Sequence, residues 1–115
     1  MPLIHVTTTR TVGNEEQAAL LSALSAAISE TTGKPEQYVM AILESAGIMM
    51  SGTEGDAAFA DIRSIGAQGP AENAAIAKRV CDILESGLGV SGDRIYLNFT
   101  DVARSDWGWD GRTFG

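Results

Sequence analysis

Apolar positions along the first third of the chain change from a strand-like pattern to a helical one. Residues 3–8 are rich in β-branched side chains and predict a first strand. Asn14 is predicted to be the N-cap of a helix, with Gln17 three residues later as in a capping box, and Gly33 is predicted to end that helix. Between them, apolar side chains recur at helical spacing. These are Leu20, Leu21, Leu24, Ala27 and Ile28.

A second strand completes this first unit, and the same order of elements then recurs. Residues 38–44 form a short apolar run typical of a strand covered on both faces, and the glycine-rich residues 45–57 predict a loop. Residues 57–65 predict a third strand, a second helix begins near Pro70, and residues 94–100 alternate as a fourth strand. The apolar stripe of the second helix is Ile76, Val80, Ile83 and Leu84, with Gly87 and Gly89 at its end.

Two strand–helix–strand units in one short chain predict an α+β fold. Each unit requires a parallel strand pair with a right-handed crossover. We therefore expect one domain over residues 1–115, in which two βαβ units form a four-stranded mixed sheet with both helices on one face. The other face is expected to be bare and largely apolar, which predicts an oligomer.

Composition and charge exclude several classes of function. The 115 residues have 44% hydrophobic and 20% charged side chains and a formal charge of −7, which argues against a nucleic-acid partner. No apolar run approaches the length of a membrane span, and the N-terminus lacks a signal-peptide pattern, so we expect a cytoplasmic protein without a membrane partner. One cysteine and one histidine favour neither a disulfide nor a metal site, and we expect no cofactor.

Three local features suggest chemistry. Lys34 is one of only two basic residues among residues 1–57, which hold seven acids; by itself it is most simply a lysine at a helix C-terminus. Five of the seven aromatic residues lie in the last twenty positions, where they are expected to pack against the core or a neighbouring chain. Removal of Met1 would expose the secondary amine of Pro2, whose pKa burial would lower toward that of a useful base. By itself, Pro2 is more simply a proline tolerated at the first residue of a strand. With Met1 retained, that nitrogen is an amide and cannot act as a base.

Short motifs then stand in a fixed order along the chain. They are Met1-Pro2, Thr32-Gly33-Lys34-Pro35 with Tyr38 beyond it, Ser64-Ile65-Gly66, Asp93-Arg94-Ile95-Tyr96-Leu97-Asn98, Gly108-Trp109 and Thr113-Phe114. In this order they resemble the macrophage migration inhibitory factor family of the tautomerase superfamily over essentially the whole chain. The resemblance implies a homotrimer in which three subunits close a barrel of sheets.

The resemblance also implies an activity and a site. The expected reaction is keto–enol tautomerisation of arylpyruvates such as phenylpyruvate, with Pro2 as the general base and a small enol or keto acid as the substrate. Lys34 matches a substrate-carboxylate contact, and the backbone N–H of Ile65 matches a second, in a turn shaped by Ser64 and Gly66. The remaining predicted substrate contacts are Tyr96 and Asn98 from an adjacent subunit and the aromatic residues Tyr38, Trp109 and Phe114.

Departures from the family pattern leave alternatives open. Trp107 stands where the best-known members carry a smaller aliphatic residue at the pocket mouth. It is included among the substrate contacts, and two effects on substrate preference are open, a narrower entrance or an added stacking surface. Ala57 and Ala60 stand where some members carry Cys-x-x-Cys, so thiol oxidoreductase activity is not expected. A cytokine-like signalling protein with an unknown receptor, reached by leaderless secretion, is one alternative, and a trimeric structural module with vestigial activity is another. Three further acids are expected to be solvated turn residues. They are Asp101, Asp106 and Asp110.

Overall fold

Two long helices cover one face of a four-stranded sheet in the computed structural model, which describes residues 1–66 and 69–115. This arrangement confirms the α+β prediction. The elements of the sheet layer and its helices are β1 (Pro2–Thr8), α1 (Asn14–Thr32), β2 (Met40–Ser45), β3 (Ala58–Ile65), α2 (Pro70–Leu88) and β4 (Ile95–Val102). A small hairpin follows, formed by β5 (Gly108–Trp109) and β6 (Arg112–Thr113).

The sheet is mixed, with strand order β2-β1-β3-β4. β1 pairs parallel to β2, and β3 pairs parallel to β4, as two βαβ units require. The two units join through the antiparallel central pair of β1 and β3, in which Pro2 lies opposite Ser64. Ser64 is in turn in register with Asp101 on β4, so one row of residues crosses three strands at this end of the sheet.

The core lies between the sheet and the helices. Every second residue of β1 is buried, from Pro2 through Ile4 and Val6 to Thr8, because alternate side chains of a strand point to one face. Burial of each large aliphatic side chain contributes about 1.5–3 kcal/mol to stability. The helices supply the opposing layer with the buried residues Leu20, Leu24, Ala27, Ile28, Ile76, Val80, Leu84 and Leu88.

The helix boundaries differ from the predicted ones at single residues. Asn14 is the first residue of α1 rather than its cap; Gly13 occupies the N-cap position with extended backbone, and no side chain caps the helix. Gly33 ends α1 as predicted, at φ 72°, where a side chain would be strained. α2 runs through Gly87 and ends at Gly89, whose φ is 69°.

β2 is an edge strand, and within one chain the helices cover only one of its faces, so the prediction of a strand covered on both faces is wrong. It begins at Met40, and Tyr38 lies before it in a 3-10 turn, Glu36–Tyr38. Only β1 borders it, and none of its residues is fully buried. A continuous apolar run does not by itself separate a central strand from an edge strand that a second chain could cover.

The uncovered face of the sheet is mixed rather than largely apolar. His5 Nε2 lies 2.5 Å from Glu44 Oε1, and an Arg63–Asp61 pair with a 2.8 Å contact lies on the same face. Large exposed hydrophobic side chains lie between these charged residues. They are Met40, Phe59 and Tyr96. The alternation of the central strands places polar residues on the side away from the helices.

Residues 1–66 and 69–115 contain no helix with the length and apolar character needed to cross a bilayer.

Candidate functional site

Four residues predicted for the site meet at one end of the sheet. Pro2 is fully buried and lies opposite Ser64, which is 4% exposed. The ammonium of Lys34 donates hydrogen bonds of 2.5 Å to the hydroxyl oxygen of Ser64 and to the carbonyl oxygen of Ile65. The structure therefore brings the predicted base, the lone cation and the Ser-Ile turn into one cluster.

The backbone around Lys34 is fixed by the end of α1. Gly33 turns the chain in the left-handed conformation, which reverses its direction directly before the lysine. The Ser29 hydroxyl donates to the Lys34 carbonyl oxygen at 2.7 Å, and the Lys34 N–H donates to the Thr32 hydroxyl at 3.3 Å. These neutral contacts hold the main chain and leave the long side chain free to cross to β3.

Gly66 forms the other wall of the cluster. Its φ is 92°, a conformation that side-chain-bearing residues rarely adopt. A Cβ at this position would lie 3.9 Å from the Lys34 ammonium, so the lysine rests against the glycine backbone. The predicted donor, the N–H of Ile65, belongs to the half-buried residue directly before this turn.

The cluster disfavours positive charge. Burial, and secondly the nearby charge of Lys34, lower the pKa of the Met1 amino group. Burial also lowers the pKa of Lys34, while the carboxylate of Asp101 acts in the opposite direction. The surroundings of the Met1 amine thus favour its neutral form at a lower pH than water does. In the full sequence Met1 precedes Pro2, and the proline nitrogen is then an amide without a basic lone pair.

Tyr96 and Asn98 are not part of this cluster within one chain. They lie on the uncovered face of β4, whereas Pro2 and Ser64 lie on the helix side. Tyr96 is in register with Phe59, five residues before Ser64, which at 3.3 Å per residue is about 16 Å along β3. Only another subunit could bring these two side chains to a Pro2 cluster.

The C-terminal aromatic residues form a small unit of their own. The rings of Trp109 and Phe114 stack with centroids 6.3 Å apart and planes at 14°, and the Arg112 guanidinium lies 5.6 Å from the Trp109 ring centre. The Phe114 N–H donates to the Trp107 carbonyl oxygen at 3.2 Å. Trp109 is 54% exposed, so its own chain leaves more than half of its surface uncovered.

Tyr38 lies four residues after Lys34 in the 3-10 turn and is 44% exposed. Its N–H donates to the Pro35 carbonyl oxygen at 3.1 Å, which orders the turn without engaging the ring.

Asp101 is exposed to solvent, as predicted, but it does not lie in a turn. It belongs to β4, in register with Ser64, and borders a cavity of about 140 Å³ that Ser64 and Gly66 also line. Parallel pairing between β3 and β4 fixes Asp101 as the neighbour of Ser64, and only an exact strand register could have indicated it.

The hairpin of β5 and β6 was also not predicted, although Asp110-Gly111 at φ 51° and 76° is a known signal for such turns.

Comparisons with known proteins give one consistent result. The family model described as macrophage migration inhibitory factor (MIF) matches residues 1–115. Macrophage migration inhibitory factor of Meriones unguiculatus is 38% identical over 96 residues, covering 83% of this chain and 84% of the relative. The crystal structure of a homologue from Prochlorococcus marinus superposes with a TM-score of 0.92 at 35% identity, covering 98% of this chain and 99% of that one. The MIF-like protein of Entamoeba histolytica superposes with a TM-score of 0.94 at 29% identity, covering 98% of both chains.

Proposed function

Because the chain belongs to the macrophage migration inhibitory factor family, with the fold of the tautomerase superfamily, we propose that it is a keto–enol tautomerase of arylpyruvates such as phenylpyruvate. The Pro2 nitrogen is the general base once Met1 has been removed. The observation that carries the proposal is the cluster in which fully buried Pro2 lies opposite Ser64 and the Lys34 ammonium contacts that serine at 2.5 Å.

The reaction is an isomerisation and needs no cofactor. In the direction of the enol, the neutral Pro2 amine accepts a proton from the carbon next to the substrate carbonyl. The electron pair of that C–H bond moves into the new carbon–carbon double bond, and the π electrons of the carbonyl group move to its oxygen, which gains a proton from water. The protonated amine then gives its proton to the hydroxide so formed, which restores the neutral base and the water. In the reverse direction the protonated amine returns a proton to carbon. The lowered pKa of the adjoining Met1 amino group supports this role, because the same surroundings act on a Pro2 amine and a base works best when its pKa lies near the working pH.

Lys34 and the Ile65 turn bind the substrate carboxylate in this proposal. A single ammonium beside an apolar wall orients an anionic substrate without filling the site with charge. The same charge disfavours protonation of the neighbouring amine, which keeps the base in its active form. Ser64 positions the ammonium by accepting one of its hydrogen bonds.

The complete pocket requires a homotrimer. Tyr96 and Asn98 lie too far from Pro2 in their own chain, and the exposed Trp109 offers an aromatic surface that its own chain leaves uncovered. In the proposed assembly Tyr96 and Asn98 enter a neighbour's site, where Tyr38, Trp107, Trp109 and Phe114 form the wall for the aryl group. The exposed edge of β2 and the uncovered sheet face are the surfaces available for closing the barrel.

The test is ultraviolet-monitored tautomerisation of phenylpyruvate by the wild type and by Pro2→Gly. A loss of about 10²-fold or more in kcat/KM is expected for Pro2→Gly, since positioned acid–base catalysis contributes about 10²–10⁴-fold. Pro70→Ala, at the exposed first turn of α2, is the matched control and is expected to keep its activity. Intact mass spectrometry establishes which chains have lost Met1. An unchanged rate for Pro2→Gly would refute the role of Pro2.

A second candidate function follows from the names of the vertebrate relatives, each a macrophage migration inhibitory factor. On this alternative the chain is a secreted, cytokine-like ligand of a receptor, and its tautomerase activity is vestigial. Inhibition of macrophage migration by folded Pro2→Gly protein would favour it. Detection of the native protein only inside its cells would favour the enzyme and a cytoplasmic location.

A further inference from the structure

A row of residues crosses three strands directly beneath the Lys34 ammonium. Pro2 on β1 and Asp101 on β4 are both in register with Ser64 on β3, between them. Strands lie about 4.8 Å apart, so each neighbour in the row is within one strand spacing of the serine. All three residues occupy alternating positions on the helix side of the sheet. The proposed base, the hydroxyl that holds Lys34, and a carboxylate thus follow one another in a line.

Ser64 and Asp101 also border one small cavity of about 140 Å³. At roughly 30 Å³ per molecule, this volume accommodates up to about four waters. The buried Oδ1 of Asn73, on the first turn of α2, borders it too, and within residues 1–66 and 69–115 this oxygen accepts no hydrogen bond. A buried acceptor of this kind favours water, because leaving it unsatisfied costs about 1–3 kcal/mol. The cavity has room for water between the Asp101 carboxylate and the Ser64 hydroxyl.

We propose that Asp101 is a positioning residue for Lys34. Its carboxylate acts through water in this cavity and through the Ser64 hydroxyl, and it keeps the Lys34 ammonium charged and directed at the substrate carboxylate. The effect on the charge of Lys34 does not depend on the proposed tautomerase function. The effect on the substrate rests on the proposed tautomerase function.

Among the described residues, Asp101 is the only one whose negative charge favours the charged form of Lys34. Burial opposes the charged lysine by lowering its pKa, and Asp101 is the group that acts in the opposite direction. α1 contributes only the neutral hydroxyls of Ser29 and Thr32 at the backbone of the lysine. The contacts of the ammonium on β3 are likewise neutral.

The direct experiment uses the fact that the chain has two lysines, Lys34 and Lys78. Protein labelled with ¹³C-lysine gives two Cε signals whose titrations are followed separately by NMR. Lys78 is an internal reference, since it is exposed on α2 and paired with Asp82, which raises its pKa. In Asp101→Asn the Lys34 titration is expected to move to lower pH while the Lys78 titration stays in place.

Two further variants separate charge from structure. Asp101→Glu restores the carboxylate and is expected to restore the Lys34 titration. Asp93→Asn removes the same charge from an exposed residue in the turn before β4, at the far end of that strand, and is expected to leave Lys34 unchanged. The distance along the strand exceeds the screening length of about 8–10 Å.

Kinetics give a second readout if the enzyme is active as proposed. For Asp101→Asn we expect the alkaline limb of kcat/KM to move to lower pH and the KM for phenylpyruvate near that limb to rise about fivefold, with little change in kcat, as for loss of one partly screened charge interaction. An unchanged Lys34 titration in Asp101→Asn, or an equal displacement in Asp93→Asn, would overturn the proposal. Because the NMR titration does not depend on turnover, absence of tautomerase activity would refute the proposed function without deciding this one.

Discussion

Replacing Lys34 by methionine removes the one cation of the site and keeps most of its apolar stem. Lys34 is the only ammonium that contacts the Ser64–Ile65 turn within the described ranges, so no second side chain there replaces its charge. A hydrogen bond to a charged group is worth about 1.5–3 kcal/mol, which corresponds to roughly 10- to 100-fold in affinity. We therefore expect Lys34→Met to raise the KM for phenylpyruvate by about that factor, with a smaller change in kcat.

The same variant alters the pH dependence in a defined direction. Lys34 helps to lower the pKa of the Met1 amino group, and in the proposed reaction it acts in the same direction on the Pro2 amine. Removal of Lys34 is therefore expected to raise the pKa of the base, although burial still keeps that pKa below the usual range. The acid limb of kcat/KM is expected to move to higher pH, because the base is then protonated over a wider range.

Initial rates measured over a range of phenylpyruvate concentrations and pH separate these effects. Lys78→Met, which neutralises the exposed lysine of α2, is the matched control and is expected to behave as the wild type. A KM unchanged within about twofold, well below the range expected from the lost hydrogen bond, together with an unmoved acid limb would refute the assignment of Lys34 to the substrate carboxylate.

Three further predictions concern stability and reactivity. Gly66→Ala is expected to lower the free energy of unfolding by about 1–2 kcal/mol, because alanine is strained at φ 92°. Gly47→Ala, where a Cβ would meet open space, is expected to change that free energy by no more than about 0.5 kcal/mol. Urea titration compares the two variants, and equal losses would contradict the role of φ at Gly66. Leu24→Ala in the fully buried core is expected to lose about 2–5 kcal/mol in the same assay, and a loss near zero would show that this position is not core. Burial raises the pKa of the Cys81 thiol, so the folded protein is expected to react with a disulfide reagent at neutral pH more slowly than the protein in urea, and equal rates would contradict this expectation.

Periodicity predicted the long elements of the fold because their burial follows it closely. β1 and β3 alternate buried and partly exposed residues along their whole length, as the spacing of their side chains indicated. The cap at Asn14 failed because Gly13 adopts the extended N-cap conformation without needing a side chain. The position of β2 at the sheet edge depends on strand order, which an apolar run does not encode.

The arrangement of the site residues depends on the register between strands that are far apart in the sequence. The family motifs pointed to Pro2, Lys34, Ser64 and Ile65, and the structure brings these four together through pairing of β1 with β3. Asp101 was missed because its place beside Ser64 follows from the pairing of β3 with β4, not from any local motif. The roles of Tyr96, Asn98 and the hairpin aromatic residues remain predictions, since they concern a neighbouring subunit.

The central claim is that a free amine of Pro2 performs the proton transfer. Its most direct test measures phenylpyruvate tautomerase activity and intact mass on the same preparation, before and after treatment with a methionine aminopeptidase. Activity is expected to rise in proportion to the fraction of chains that have lost Met1. Full activity in protein that retains Met1 throughout would contradict it.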